Sequence, residues 1–308
     1  MISKFLNSTI SSVKIFSGTS NEHLAQKIAK KLDIKLSSLE VSVFPDGEKR
    51  VRILDRVSGE DVVVVQSTAS PTDENYMQLF FILDALRRSG AKSVTAVIPY
   101  FGYQRQDHMF REGEAVSVKV IAEILQNLGI SKLIAVDLHS IKIEQAFSVP
   151  VLHLSALSLF AKTIKEKKWS ATLVSPDMGG IRRIKILSKM LDNMPFAVVE
   201  KNRDLATGRV TADKIAGKVG ERAIIADDMI SSGGTIAMAA KLLRKNGVKE
   251  IYVFAAHPVF SENAPKILQE SEVKRVYVTD TIFVPEEKRF PKLEILSVGE
   301  IIAASLSS

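Results

Sequence analysis

The sequence predicts an α/β protein of two similar domains, each a mainly parallel sheet flanked by helices. Three observations predict it. Short runs rich in Val and Ile alternate with amphipathic stretches along the chain, the pattern of strands buried on both faces and joined by helices. At 308 residues, the chain is long enough for two domains of ordinary size. The chain also resembles itself: Arg88-Ser89-Gly90-Ala91-Lys92-Ser93-Val94 reads like Lys245-Asn246-Gly247-Val248-Lys249-Glu250-Ile251. Each segment follows a strand, a loop and a helix, and each leads into a second strand.

In order, Val13–Ser17, Val62–Gln66, Val94–Pro99, Leu133–Asp137, Thr172–Ser175, Ala223–Ala226, Ile251–Ala255 and Val276–Thr279 read as buried strands. The clearest helical patterns are Asp73–Arg88, Ser117–Leu128, Leu157–Lys165, Ile181–Leu191 and Thr235–Lys245. Two of them end in a glycine stop, at Gly90 and Gly247. The join is expected near Pro150, giving domains 1–150 and 151–308, with the last residues packing back on the first domain. No low-complexity linker marks it, so the halves are expected to pack tightly.

Composition narrows the function classes. Hydrophobic residues are 46% and charged residues 25%, an ordinary globular balance. There is no apolar run of membrane-spanning length, and Met1–Ser12 lacks the apolar core of a secretory signal. The absence of cysteine excludes disulfides, thiolate metal sites and thiol catalysis, and fits a reducing interior. A net charge of +7 suits an anionic partner. The basic residues are scattered and not interleaved with aromatics, so no nucleic-acid partner is expected.

The strongest chemical feature is the run Ala223-Ile224-Ile225-Ala226-Asp227-Asp228-Met229-Ile230-Ser231-Ser232-Gly233-Gly234-Thr235. An apolar strand leads into two adjacent carboxylates, then a small-residue turn opens a helix. Flexible glycines let backbone N–H groups converge on an anion, and the helix N-terminus adds partial positive charge. Ser231, Ser232 and Thr235 add hydroxyls. Carboxylates at a strand's carboxyl end suit sugar hydroxyls or Mg²⁺. Strand alternation sends neighbouring side chains to opposite faces, so both reach one sugar only from a loop. The piece reads as a holder for a phosphorylated sugar.

This string resembles the 5-phosphoribosyl diphosphate loop of the phosphoribosyltransferase fold. That fold serves base transfer from phosphoribosyl diphosphate and also synthesis of that compound. The first half resembles the ATP side of ribose-phosphate diphosphokinases. Phe44-Pro45-Asp46-Gly47-Glu48, by itself a hairpin turn, is similar to the family's adenine-contacting segment, often supplied by a neighbouring subunit. Pro99-Tyr100-Phe101-Gly102-Tyr103-Gln104-Arg105-Gln106-Asp107 resembles the Pro-Tyr…Tyr-x-Arg-Gln-Asp motif, which implies ATP binding by Arg105, Gln106 and Asp107. Asp137-Leu138-His139 resembles the motif whose His binds the Mg²⁺ of Mg-ATP; imidazole is an unusual Mg²⁺ ligand, so His139 rests on the resemblance alone. Ser175-Pro176-Asp177-Met178-Gly179-Gly180 is similar to the segment that places an Asp near a second metal or the ribose. Glu200-Lys201-Asn202-Arg203, ahead of a polar stretch, resembles a mobile catalytic loop with a Lys-x-Arg pair. Ser17-Gly18-Thr19-Ser20-Asn21 resembles the first strand–turn–helix.

The resemblance implies transfer of the β,γ-diphosphate of Mg-ATP to O1 of ribose 5-phosphate, giving 5-phosphoribosyl 1-diphosphate and AMP. It implies Mg²⁺ as cofactor, catalysis by Lys201 and Arg203, and ATP at Phe44, Asp46, Gly47, Glu48, Arg105, Gln106 and Asp107. Ribose 5-phosphate would lie on Arg203, Asp227, Asp228, Ser231, Ser232, Gly233, Gly234 and Thr235, with metal at His139 and Asp177. It further implies a cytoplasmic, dimer-based homo-oligomer, up to a hexamer. A phosphoribosyltransferase and a non-catalytic regulatory homologue are the alternatives. Ser231 stands where most relatives have Asp, Pro45 where Ser is frequent, and His108 and Gly113 where basic residues are common. These departures point to weak or absent allosteric control.

Overall fold

The structure, a computed structural model, describes residues 13–203 and 210–307, without the side chains of residues 201–203 and 210–213. The chain divides into two compact units. Unit 1 holds Met1–Leu154, Thr281–Phe283 and Val298–Ser308; unit 2 holds Ser155–Asp280 and Val284–Ser297. The division falls after Leu154 because the segment beyond Pro150 pairs with the first sheet.

From Lys14 to Leu154 the elements are β1 (Lys14–Ser17), α1 (Glu22–Lys31), β2 (Leu39–Val43), β3 (Lys49–Ile53), β4 (Asp61–Val65), α2 (Thr72–Arg88), β5 (Ser93–Ile98), α3 (Ser117–Asn127), β6 (Lys132–Val136) and β7 (Val151–Leu154). Beyond them come α4 (Leu157–Glu166), β8 (Thr172–Ser175), α5 (Ile181–Met190), β9 (Phe196–Arg203), β10 (Val210–Ala216), β11 (Arg222–Ile230), α6 (Gly234–Lys245), β12 (Glu250–Pro258), α7 (Ala264–Glu270), β13 (Arg275–Thr279), β14 (Leu293–Leu296) and α8 (Gly299–Leu306). Unit 1 carries an all-parallel sheet in the order β1-β4-β5-β6-β7 and a separate β2–β3 hairpin. Unit 2 carries β10-β9-β8-β11-β12-β13-β14, parallel except at the β9–β10 pair.

The predicted strands are the interior ones. Val62–Val65, Leu133–Val136 and Ala223–Ala226 are buried throughout, because helices cover both sheet faces. Each such Val, Leu or Ile side chain contributes roughly 1.5–3 kcal/mol. The internal repeat is real in geometry. The order β1-β4-β5-β6-β7 is matched by β8-β11-β12-β13-β14, and in each a hairpin follows the first strand, separate as β2–β3 in unit 1 and joined to β8 through β9 in unit 2. Gly90 and Gly247 sit at φ +84° and +85° after α2 and α6, where only glycine enters without strain. The amides that follow bond alike: Ala91 N–H to Leu86 O at 3.1 Å and Val248 N–H to Leu243 O at 3.2 Å. Lys92 N–H meets Glu60 O at 2.8 Å, and Lys249 N–H meets Glu221 O at 2.7 Å.

β9 and β10, which the sequence did not announce, mix apolar and polar residues. β9 and β10 pair through Lys201↔Ala212 and Arg203↔Val210, so the backbone of Glu200–Arg203 is strand, not loop. Residues 204–209, the rest of the polar stretch, lie outside the described residues. Among the described residues no helix is long and apolar enough to cross a membrane.

Candidate active site

In unit 2 the site is built where β8, β9 and β11, neighbours in the sheet, reach their carboxyl ends. β11 does not stop before the acidic pair; it runs on through Asp227 and Asp228 to Ile230. Alternation should part the two side chains, and the loop expected there is absent. A cation from α5 reconciles them. Arg183 Nη1 lies 3.4 Å from Asp227 Oδ1 and its Nη2 3.5 Å from Asp228 Oδ2. Each carboxylate also curls forward: Asp228 N–H donates to Asp227 Oδ1 at 2.9 Å and Met229 N–H to Asp228 Oδ1 at 3.0 Å. Both oxygens thereby stay on one side despite the strand geometry.

Burial pushes the Asp227 carboxyl up to about 8; the charge of Asp228 adds to the rise, Arg183 opposes it, and Asp177 raises it further. Three carboxylates and one guanidinium thus share one electrostatic neighbourhood. Asp177 caps the short turn before α5: its Oδ1 accepts the Gly180 N–H at 3.2 Å, and its carbonyl accepts the Ser175 hydroxyl at 2.7 Å. A Cβ on Gly180 would stand 2.4 Å from Ser175 Oγ, so any larger residue there would turn that hydroxyl away from the Asp177 carbonyl. Past the acidic pair, Gly233 at φ +79° takes the N-cap position of α6, and no side chain caps the helix. Ser231 Oγ meets Ser261 Oγ at 3.0 Å. A glycine-opened N-terminus, rimmed by Ser231, exposed Ser232 and Thr235, is an anion-binding arrangement. Asp177, Asp227, Asp228 and the Ser231–Thr235 turn are therefore gathered in one place, with Arg183 added. Lys201 and Arg203 follow on β9 in backbone only; their side chains lie outside the described part.

In unit 1 the equivalent edge is formed after β4, β5 and β6. The loop after β5 is tied down by Tyr76, whose hydroxyl donates to Gly102 O at 2.9 Å, and by Gly102 N–H donating to Thr68 Oγ1 at 2.8 Å. A Cβ on Gly102 would lie 2.4 Å from Thr68 O, so the approach requires glycine. The loop presents Arg105 and Gln106 to solvent. Burial works to raise the Asp107 carboxyl, but hydrogen bonds from His108 and Ser140 outweigh it and hold it below the usual range. Ser140 follows His139, so the β5 and β6 loops are joined. His139 itself is exposed. The tip Phe44–Glu48 is exposed at every residue. It is closed by Phe44 N–H to Glu48 O at 2.8 Å and by Glu48 N–H to Asp46 Oδ1 at 3.1 Å, with Gly47 at φ +92°. Asp46 thus shapes the turn as well as offering a carboxylate. Arg50 lies 5.7 Å from the Phe44 ring centroid.

Sequence reasoning missed Arg183. It lies in the helical pattern Ile181–Leu191 as one of two adjacent arginines, and only the fold shows which turns inward: Arg182 is exposed and Arg183 half-buried.

Two parallel-sheet units, one with an acidic strand end leading into a glycine-opened helix, define the class: an α/β enzyme of the phosphoribosyltransferase type. A family model for the N-terminal domain of ribose phosphate pyrophosphokinase matches residues 13–129, and one for a phosphoribosyl synthetase-associated domain matches residues 161–307. The ribose-phosphate pyrophosphokinase of Fusobacterium nucleatum is 40% identical over 297 residues, 96% of this chain and 94% of that one. That of Gloeobacter violaceus is 39% identical, over 96% and 89% of the two chains. The crystal structure of phosphoribosylpyrophosphate synthetase from Mycobacterium smegmatis superimposes with a TM-score of 0.90 at 35% identity, over 96% and 98% of the two chains. The chain belongs to the ribose-phosphate pyrophosphokinase family and is an enzyme of that activity.

Proposed function

We propose that unit 2 binds ribose 5-phosphate, unit 1 binds Mg-ATP, and O1 of the sugar attacks the β-phosphorus in line, releasing AMP. The observation that carries this is the Asp227–Asp228–Arg183 cluster leading into the uncapped N-terminus of α6. The 5-phosphate takes the backbone amides and hydroxyls of Ser231–Thr235. Asp227 and Asp228 accept hydrogen bonds from the 2- and 3-hydroxyls. Arg105, a planar fork of donors, meets ATP phosphates; Gln106 and Asp107 place the nucleotide; Phe44 stacks on adenine while Asp46, Gly47 and Glu48 line it. Lys201 and Arg203 supply positive charge to the transferring phosphoryl group, where positioning and electrostatics dominate. Arg203 also borders the ribose.

Mg²⁺ prefers oxygen and is commonly held by one or two carboxylates with substrate phosphates and water. Among the described residues no three His, Asp or Glu side chains gather into a metal-holding group. That donor set fits ions that arrive with the substrates rather than a resident cage: in unit 1 His139 would hold the Mg²⁺ of Mg-ATP, and in unit 2 Asp177 would offer a carboxylate to a second metal or the ribose. When bound, the ion neutralises charge on the polyphosphate. The exposed Phe44–Glu48 tip suits a dimer-based homo-oligomer, up to a hexamer, in which the tip serves a neighbour's ATP. A cytoplasmic setting agrees with the absence of cysteine.

Asp228→Asn and Gly233→Ala should each raise KM for ribose 5-phosphate about tenfold or more, leaving KM for ATP little changed. A rise confined to ATP would overturn the assignment of the units.

A further inference from the structure

Asp137–His139 leaves β6 in a left-handed turn, with φ +39° at Asp137. A residue other than glycine keeps such a conformation only where its surroundings hold it. The three amides of this turn are held one after another. Asp137 N–H donates to Leu154 O at 2.8 Å, continuing the β6–β7 ladder. Leu138 N–H donates to His153 Nε2 at 2.9 Å. His139 N–H donates to Gln104 Oε1 at 3.0 Å. Two of the three acceptors are side chains from distant segments. Asp137 and Leu138 are 8% and 5% exposed, whereas His139 is exposed. The backbone is pinned and the imidazole is turned out.

Both clamping side chains are themselves oriented. His153 sits on β7 opposite Ala135. Accepting at Nε2 leaves its proton on Nδ1, which faces Glu144 Oε1 at 3.2 Å. Gln104 is fully buried. Flipping its amide would set a donor against the His139 N–H, so the backbone dictates which end points there. The other end is left over: Gln104 Nε2 meets no partner among the described residues. An unsatisfied buried donor costs at least as much as one hydrogen bond returns. Gain in fold stability therefore does not account for Gln104, while the carbonyl's hold on the His139 amide does.

We propose that Gln104 and His153 are positioning residues of the ATP side, clamping the Leu138 and His139 amides so that the His139 imidazole is held in its binding orientation before Mg-ATP arrives. This rests on the reading of His139 as a ligand on that side. The clamp acts through backbone, so its loss loosens the turn without removing the ligand.

The test uses the full-length protein with Gln104→Met, His153→Leu, His153→Gln and His139→Ala. Amide exchange is followed by NMR, and Mg-ATP and ribose 5-phosphate affinities by calorimetry. Gln104→Met should speed exchange of the His139 amide, and His153→Leu that of the Leu138 amide, each by about tenfold. Both should weaken Mg-ATP binding roughly five- to tenfold and leave ribose 5-phosphate binding unchanged. Gln104→Met should change the melting temperature little, since it removes one orphaned donor, Gln104 Nε2, and leaves another, the His139 amide. His153→Gln, which restores an acceptor near Nε2, should recover both exchange and affinity. Unchanged exchange and Mg-ATP affinity in Gln104→Met and His153→Leu, beside a loss in His139→Ala, would overturn the clamp. Unchanged Mg-ATP binding in His139→Ala would instead overturn the reading of His139, and the residue-specific exchange rates would still decide whether the clamp exists.

Discussion

Replacing Arg183 with Met keeps the bulk of the side chain and removes the charge that faces both carboxylates. The guanidinium lies 3.4 Å from Asp227 and 3.5 Å from Asp228, and the three side chains are 18%, 17% and 8% exposed. At an effective dielectric of about 20, unit charges at that separation interact by roughly 5 kcal/mol. Desolvation offsets part of this, and removing one partner of a buried pair costs about 3–5 kcal/mol. Two features lower the figure here. The contacts are longer than the roughly 2.8 Å of a tight charge-assisted bond. Asp227, pushed up to about 8, also takes up a proton near neutral pH, so one unbalanced negative charge remains and not two. About 2–3 kcal/mol is left near pH 8, a fall in melting temperature of roughly 5–10 °C. The sign with pH follows. Removing Arg183 raises the carboxylate pKa values further, and a raised carboxylate pKa withdraws stability as pH rises. The deficit should grow from pH 5 to pH 9 in melting curves, while KM for ribose 5-phosphate rises about tenfold. A deficit equal at every pH would refute the electrostatic role, and no deficit at all would refute the ion pairs.

Asp227→Asn cannot ionise, so it should gain stability over the parent as pH rises from about 4 through about 8, where the parent loses it; melting at pH 5, 7 and 9 checks this, and a flat difference would contradict the raised Asp227 pKa. Gly102→Ala places a Cβ 2.4 Å from Thr68 O, against backbone that cannot yield cheaply; a loss of about 1–3 kcal/mol in denaturant unfolding and a weaker ATP interaction are expected. Lys201→Ala should lower kcat by about two orders of magnitude or more with ribose 5-phosphate affinity kept; unchanged turnover in a steady-state assay would remove Lys201 from the mechanism.

Much of this was legible in the sequence, for identifiable reasons. Interior strands such as Val62–Val65 read correctly because both faces are buried, and the Gly90 and Gly247 stops because glycine alone suits φ +84° and +85°. The acidic pair and the Ser231–Thr235 turn stood out because their chemistry is local in the chain. What failed was whatever depends on partners far away in sequence. β9 turns from apolar at Phe196–Val199 to polar at Glu200–Arg203, and β10 is mixed; β9 gains its strand character from pairing with β8 and β10, and β10 from pairing with β9. Asp227 and Asp228 were expected on a loop, and it is Arg183, 44 residues away from Asp227, that allows them to stay on a strand. Gln104 looked like an unassigned position in a motif; its contact with His139 spans 35 residues. No local pattern marks either residue.

The most direct measurement is product formation by the purified protein given ATP, ribose 5-phosphate and Mg²⁺, with nucleotides resolved by chromatography and the sugar product by ³¹P NMR. AMP and 5-phosphoribosyl 1-diphosphate should appear in equal amounts, with no ADP or free phosphate and no reaction when ribose 5-phosphate is omitted. Release of ADP, or turnover only when phosphoribosyl diphosphate and a base are supplied, would contradict diphosphoryl transfer from ATP.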